Sequence, residues 1–448
     1  MRDLSIVFAA AVPLCSPIAA QEQPIEARVR EALDAVNAAR IEASVRALAG
    51  FGTRHVLSRT DSRTEGTGAA RAWLKAQYEA IARETGGRLR VELQESLVPC
   101  RRRGMPEKLG IVNVIATLPG TAKDGRTYVV GGHYDSRNGD SADGRGPAPG
   151  ANDDGSGTAV TLEVCRVLSR SSFPATLVFA AHDGEEQGLL GSTEHARALA
   201  EAGVAVDGMI ECDIVGNTLG MDGVVRDGYV RCFSYAASGN DSLGRSLARA
   251  MTFAARRHVP GFEVKLVLRG DRYGRGGDHR PFFERGFPAV RCSEAREDYS
   301  RQHVLPTKRG GKPYGDVPEY ADCSYAANVA RVVVATLAEL ASAPPPPRAF
   351  AASGARDRYD TFLEFSLPEG VDDYEFVWRE TTAADWQGVI ARRDAVVERT
   401  RRGLDARLKG LVVDDVVVGV RSIGRDGSRS RVATPPEPDR FDNAGAKR

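Results

Sequence analysis

A chain of 448 residues is too long for one ordinary hydrophobic core, so at least two domains are expected. Its 61 basic and 60 acidic residues leave a formal charge of +1. That balance gives no overall field for nucleic acid or an anionic membrane, and the run Arg101–Arg103 reads as a solvated loop.

The chain opens with Arg2, an apolar stretch over Leu4–Cys15 and small residues over Ser16–Ala20. This pattern predicts an export signal, residues 1–20, and a mature protein in the periplasm or outside the cell. The apolar stretch is too short to cross a bilayer, and no later run of about 20 apolar residues is read, so no transmembrane segment is expected. Six cysteines would remain: Cys100, Cys165, Cys212, Cys232, Cys292 and Cys323. Export permits disulfides, but the spacings specify no pairing and no zinc finger. Oligomeric state is not legible.

Residues Ile25–Leu48 predict a helix, with Val29, Leu33, Val36 and Ala39 near a 3.6 period. A second helix is expected over Gly68–Thr85, and strands over Arg88–Leu93 and Ile111–Leu118. From Thr127 to about Leu340 strands and helices alternate. The reading for residues 21–340 is therefore α/β, with a mixed, mostly parallel central sheet flanked by helices. Residues 341–348 (A-S-A-P-P-P-P-R) predict an extended Pro-rich linker. Beyond it short strands are expected at Thr361–Leu367, Glu375–Glu380 and Val413–Arg421, with Val416, Val418 and Val420 on one face. Asp426-Gly427 reads as a hairpin turn. Residues 349–448 should form a small all-β sandwich, similar to a fibronectin type III domain.

Four segments carry acids and histidines beside apolar runs. Gly131–Ser136 (G-G-H-Y-D-S) follows the strand-like run Tyr128–Val130, and Pro149–Gly157 (P-G-A-N-D-D-G-S-G) leads into a helix over Thr158–Ser169. Ala180–Ser192 (A-A-H-D-G-E-E-Q-G-L-L-G-S) follows Leu177–Ala181, and Gly208–Gly216 (G-M-I-E-C-D-I-V-G) carries Asp213. In an open α/β sheet, such strand-end segments meet where ligands collect. Histidine nitrogens and carboxylate oxygens suit zinc, and two divalent ions can share one bridging carboxylate. In Glu185-Glu186, one carboxylate can ligate while its neighbour stays free to move a proton.

Together these motifs resemble the secreted two-zinc aminopeptidase family, which also includes related carboxypeptidases and the glutaminyl cyclases. The likeness runs from about Ile41 to Leu340, including F-G-T-R-H from Phe51 and G-G-D-H-R-P-F around His279. It implies two Zn2+ per chain, held by His133, Asp153, Glu186, Asp213 and a second histidine. Asp153 would bridge, Asp135 would orient His133, Asp154 would support the loop, and Glu185 would be the general base. The second histidine is read as His303, ninety residues after Asp213 and beyond the predicted strand Ala289–Cys292, in preference to His279. The family's Tyr-His pair is absent, since Gln302 precedes His303, while His279 matches a motif that supports the site. Tyr273 or Tyr299 would stabilise the oxyanion.

The implied reaction is hydrolysis at the N-terminus of peptides with a free α-amino group, which Glu185 and Asp213 would help hold. The alternatives are a carboxypeptidase using Arg269, Arg272, Arg275 and Arg280, a glutaminyl cyclase, or a non-catalytic exported binding protein. His55 and His182 are read as loop-stabilising, and His195 and His258 as exposed. The loop Asp140–Asp154 lacks EF-hand spacing. The β-sandwich is assigned to attachment or substrate access.

Overall fold

Alternating burial along three strands shows how the main sheet is sandwiched. Residues 114, 116 and 118, then 128 and 130, then 177, 179 and 181 enter one core, while Ile115, Val129 and Val178 enter another on the opposite face. This is the period-2 geometry of a strand buried on both sides. The computed structural model describes residues 23–236, 241–355 and 357–436; the expected signal, residues 1–20, lies outside them.

The sheet strands are β1 (Arg90–Pro99), β2 (Lys108–Leu118), β3 (Arg126–His133), β4 (Thr176–His182), β5 (Ala205–Cys212), β6 (Tyr229–Ser234), β7 (Glu263–Val267) and β8 (Ala289–Ser293). Their spatial order is β1-β2-β4-β3-β5-β8-β6-β7. The pairs β3-β4, β3-β5, β5-β8 and β6-β7 are parallel, and β1-β2, β2-β4 and β6-β8 antiparallel. The helices are α1 (Ile25–Asp34), α2 (Ala38–Gly50), α3 (Gly66–Glu84), α4 (Gly155–Leu168), α5 (Leu190–Glu201), α6 (Leu243–His258), α7 (His279–Glu284) and α8 (Cys323–Ser342). Helices α1–α4, α6 and α8 cover one face; α5 and α7 cover the other.

The single helix expected over Ile25–Leu48 is two. Asn37 lies between them in extended conformation, and its side chain accepts from the Ala39 and Arg40 backbone amides at 2.8 and 3.2 Å. That is an N-cap, and it starts α2 afresh. Strand β1 outlasts its expected end because it pairs with β2 as far as Pro99 opposite Lys108. Helix α8 is long and apolar enough to cross a membrane by composition, which the sequence reading missed; most of it is buried in the core against α4 and α6.

A short hairpin, β9 (Thr307–Arg309) and β10 (Lys312–Tyr314), precedes α8. Beyond α8 come β11 (Arg348–Gly354), β12 (Asp360–Ser366), β13 (Asp373–Glu380), β14 (Gly388–Ala391), β15 (Val396–Arg399), β16 (Leu404–Lys409) and β17 (Val416–Ile423). They form antiparallel sheets β11-β12-β16-β15 and β14-β13-β17, packed over Leu363, Phe365, Phe376 and Val420. Gly424 and Ser428 close the turn that contains Asp426-Gly427. The sandwich sits directly on the larger domain. Ser246 Oγ donates to Val432 O at 2.7 Å, Arg249 Nε to Ala384 O at 2.8 Å, and Arg431 lies 3.3 Å from Asp207 at the start of β5.

Helix α4 packs tightly under the strand ends. A Cβ on Gly157 would overlap the Cys212 carbonyl oxygen and the Asp154 carboxylate. Gly157→Ala is therefore expected to destabilise the protein by about 1–3 kcal/mol, read as a lower denaturant midpoint. An unchanged midpoint would mean that this packing is not tight.

Candidate metal centre

Four strand ends deliver the chemistry to one place. His133 ends β3, Glu185 and Glu186 leave β4, Asp213 follows β5, and His303 lies in the loop after β8. Asp153 comes from the loop before α4. His133 Nε2 is 3.3 Å from Asp153 Oδ1 and 3.8 Å from Asp213 Oδ2. His303 Nε2 is 2.9 Å from Asp153 Oδ2 and 2.7 Å from Glu186 Oε1. Two groups result, His133/Asp153/Asp213 and Asp153/Glu186/His303, each with its candidate ligand atoms within 4.8 Å of one another. Asp153 belongs to both.

The polar bookkeeping fits a metal. His133 Nε2, Asp153 Oδ2, Glu186 Oε1, Asp213 Oδ1 and His303 Nε2 are buried and make no hydrogen bond among the described residues. The His303 contacts to Asp153 and Glu186 pair these atoms as charges, and only while the imidazole holds a proton. Leaving five buried polar atoms unpaired would be costly unless something else takes their lone pairs. Two divalent cations on nitrogen and oxygen donors would do so. Glu185 stands aside, with Oε2 3.9 Å from His133 Nε2.

Neighbouring groups hold these side chains in place. Asp154 Oδ2 accepts from the His133 amide at 3.1 Å, while its Oδ1 accepts from Gly157 and Ile214 at 2.9 and 3.2 Å. Asp135 accepts from the amides of Glu185 and Glu186 at 3.1 and 3.2 Å, and its carbonyl oxygen lies 3.1 Å from His133 Nδ1. A carbonyl on Nδ1 sets the tautomer that leaves Nε2 free for metal. The expected carboxylate contact is the longer one, at 3.4 Å. His279 joins neither group; its Nδ1 lies 2.6 Å from Glu211 Oε2 and its Nε2 2.8 Å from Gly270 O.

Three contributors escaped the sequence reading. Asp316 accepts from the amides of Asn152 and Asp153 at 2.8 and 2.7 Å, fixing the shared carboxylate's backbone. Arg291 is fully buried, with Nη2 2.9 Å from Asp213 Oδ2 and Nη1 3.1 Å from Asp271 Oδ2. A charged residue inside the apolar strand A-V-R-C-S was the signal available for it. Arg137, directly after G-G-H-Y-D-S, places Nε 2.7 Å from Glu186 Oε2 and Nη2 2.6 Å from His303 Nδ1.

Several expectations need correction. Tyr273 does not reach the centre. Its loop turns at Gly274, φ +72°, leaving the side chain 88% exposed with Arg269 5.4 Å over its ring. Tyr299 is also exposed and lines a separate hollow beside Met221. His195 is buried rather than exposed, because its Nδ1 meets His182 Nε2 at 3.0 Å, and His182 Nδ1 meets Asp278 at 3.1 Å. The His258 side chain is likewise covered, 2.7 Å from Glu339. His55 does brace a loop, through Ser141 O at 3.0 Å. The six described cysteines are free.

The charges are strongly perturbed. Burial first, then the negative charge of Glu186, Asp213 and Asp278, pushes the Glu185 carboxyl well above its ordinary range. Burial also raises Asp213 to about 7, against the pull of Arg291 and His133. Burial would lower His303, but Glu186 and Asp153 outweigh it and carry the imidazole to about 10.

Comparison with known proteins gives one consistent likeness. The model described as Peptidase family M28 matches residues 113–314. A probable zinc metalloprotease of Leptosphaeria maculans is 38% identical over 439 residues, covering 93% of this chain and 97% of the relative. One from Phaeosphaeria nodorum is 36% identical, covering 93% and 89%. Among solved structures, the LapA aminopeptidase of Legionella pneumophila has a TM-score of 0.53 at 23% identity, covering 76% of this chain and 80% of that one. At that identity the likeness is one of fold.

Without metal, folded His303 keeps its proton to about pH 10, whereas in the unfolded chain it would lose it near 6.5. The contact therefore stabilises the metal-free fold fully below about pH 6.5, and that contribution is lost as pH rises through about 10. Zinc has to displace this proton. Zinc uptake is expected to release protons and to tighten from about pH 6 to 9, read by pH change in weakly buffered solution. Uptake without proton release would place the metal elsewhere.

Proposed function

The chain belongs to peptidase family M28 and is a zinc metallopeptidase; from that premise we propose that it removes residues from the N-terminus of peptides, with two zinc ions and Glu185 as general base. The observation that carries the two-metal reading is the set of five buried, unpaired ligand atoms, one from each of His133, Asp153, Glu186, Asp213 and His303. Asp153 offers one oxygen to each group, as a bridging carboxylate must.

Zinc, when bound, supplies Lewis acidity toward the peptide carbonyl and lowers the pKa of a water molecule. The protein's part is to position and to move a proton. Glu185 takes a proton at its carboxylate and returns it to the leaving amine, a task open to it because it stands beside both ligand groups and belongs to neither. Asp135 fixes the backbone of Glu185 and Glu186 together, so the base and the neighbouring ligand keep their relative placement. The acids of the centre provide negative charge near a substrate's α-ammonium.

The decisive test compares zinc-loaded wild type with Glu185→Gln on short peptides, each with a free and an acetylated N-terminus. The variant is expected to lose about 10²–10⁴-fold in kcat with zinc content unchanged, and acetylation to abolish cleavage by the wild type. Equal cleavage of acetylated peptides would overturn the N-terminal assignment. A second prediction concerns stoichiometry by elemental analysis: two zinc ions per wild-type chain, at most one in His303→Ala, and markedly fewer than two in Asp153→Ala. One zinc in the wild type, insensitive to His303→Ala, would refute the two-metal centre.

A further inference from the structure

The cleft over the metal centre, about 650 Å³, is poor in apolar side chains. Leu189 and glycine backbone supply its apolar lining; the rest is the acids and histidine of the centre and five arginines: Arg102, Arg137, Arg272, Arg275 and Arg280. The chain as a whole carries only +1, so this is a local accumulation.

The arginines are not all neutralised. Arg231, Arg272 and Arg275 converge on the single carboxylate of Glu297, at 3.0, 3.1 and 3.1 Å, and Arg272 also pairs with Asp271 at 3.1 Å, a carboxylate it shares with Arg291. Arg275 uses only Nη1, toward Glu297 and Gln302, and its side chain is 32% exposed. Arg280 pairs with Glu284 one helical turn away, an exposed contact of little strength. The Arg102 side chain makes no ion pair or hydrogen bond among the described residues. Its loop meets the 137–146 loop at Gly104 and Ala142, on the side of His303, while Gly276 and the Arg280 stem lie near each other by Leu189. Asp153, Glu186 and Asp213 are the acids that the metals would take up, which leaves Glu185 as the one free acid of the centre facing a rim of arginines.

Resting on the reading of this cleft as the substrate site of a zinc exopeptidase, we propose that it selects peptides bearing a carboxylate within a residue or two of the cut bond. Arg275 and Arg280 receive that carboxylate, and Arg102 adds positive charge from the other side. A guanidinium presents paired donors that match a carboxylate's two oxygens, which an apolar side chain cannot use. The carboxylate has two sources: the side chain of Asp or Glu near the N-terminus, or the free C-terminus of a dipeptide.

The test measures kcat/KM at low salt for Leu-Ala-Ala amide, Glu-Ala-Ala amide and Leu-Ala with a free C-terminus. Zinc-loaded wild type is compared with Arg275→Gln/Arg280→Gln and Arg275→Lys/Arg280→Lys. At least one carboxylate substrate is expected to exceed the neutral amide roughly tenfold or more, with that ratio falling toward one in the Gln variant and partly kept in the Lys variant. A preference for Glu-Ala-Ala amide assigns the side chain; a preference for Leu-Ala assigns the C-terminus. A neutral amide cleaved as well as both carboxylate substrates would overturn the proposal, as would a Gln variant that slows all three equally. If none is cleaved, it is the peptidase reading that fails. Calorimetric binding to the zinc-loaded protein then decides: Glu-Ala-Ala amide bound more tightly than Gln-Ala-Ala amide supports carboxylate selection, and equal binding overturns it.

Discussion

The carboxylate of Asp153 lies within 3.3 Å of one imidazole and 2.9 Å of another, and much of the surrounding fold serves to hold that group still. Its own amide is tied to Asp316. The next residue, Asp154, caps α4 and reaches back to the His133 amide, so one short loop joins a helix start to a strand end. The absence of side chains at Gly132 and Gly157 lets that junction close. Behind it, buried Arg54 donates to the carbonyls of Leu48, Tyr134, Pro149 and Gly150, which pins the Asp153 loop to α2 and to the end of β3. The F-G-T-R-H motif thus has a structural task, set by an arginine whose burial lowers it to about 10.

Holding so many carboxylates together without water has an electrostatic cost, which the protein offsets unevenly. Arg291 lies against Asp213, and Arg137 against Glu186, so each candidate metal group already has one guanidinium beside one of its acids. A buried charge pair of this kind adds little net stability, yet losing one partner strands the other. The arrangement favours a centre whose ligand geometry is kept by the fold itself. Among the described residues no guanidinium pairs with Glu185, and burial together with the charges of Glu186, Asp213 and Asp278 raises its proton affinity against the pull of His133.

Legibility in the sequence followed locality. His133, Asp153, Glu186 and Asp213 were readable because each follows or adjoins an apolar run, and a strand end in an open sheet points to one place. His303 was readable only through the family resemblance, which implies a second histidine at about that distance after Asp213, and through its place after the strand Ala289–Cys292. The residues that escaped act across long separations: Asp316 binds a loop more than 160 positions away, and Arg291 finds Asp213 through strand pairing. Tyr273 failed for the converse reason. It is close in sequence to Asp278, but one glycine turn faces it outward. Likewise, the break between α1 and α2 depends on one capping side chain, which an apolar period running through it conceals.

The seat of the β-sandwich bears on how the cleft is reached. Its contacts fall on α1, α6 and α8 and at Asp207, near the start of β5, whereas Asp213 stands just past that strand's other end. Six residues of strand separate the two, roughly 20 Å. The residues lining the cleft run from Arg102 to His303, and none comes from the sandwich. What it does is cover the outer sides of α6 and α8, where Arg249 and Arg379 share Asp241 and Arg421 lies 4.2 Å over the Phe253 ring. The described walls of the cleft are made mostly of arginine and glycine, with the acids and histidine of the centre between them.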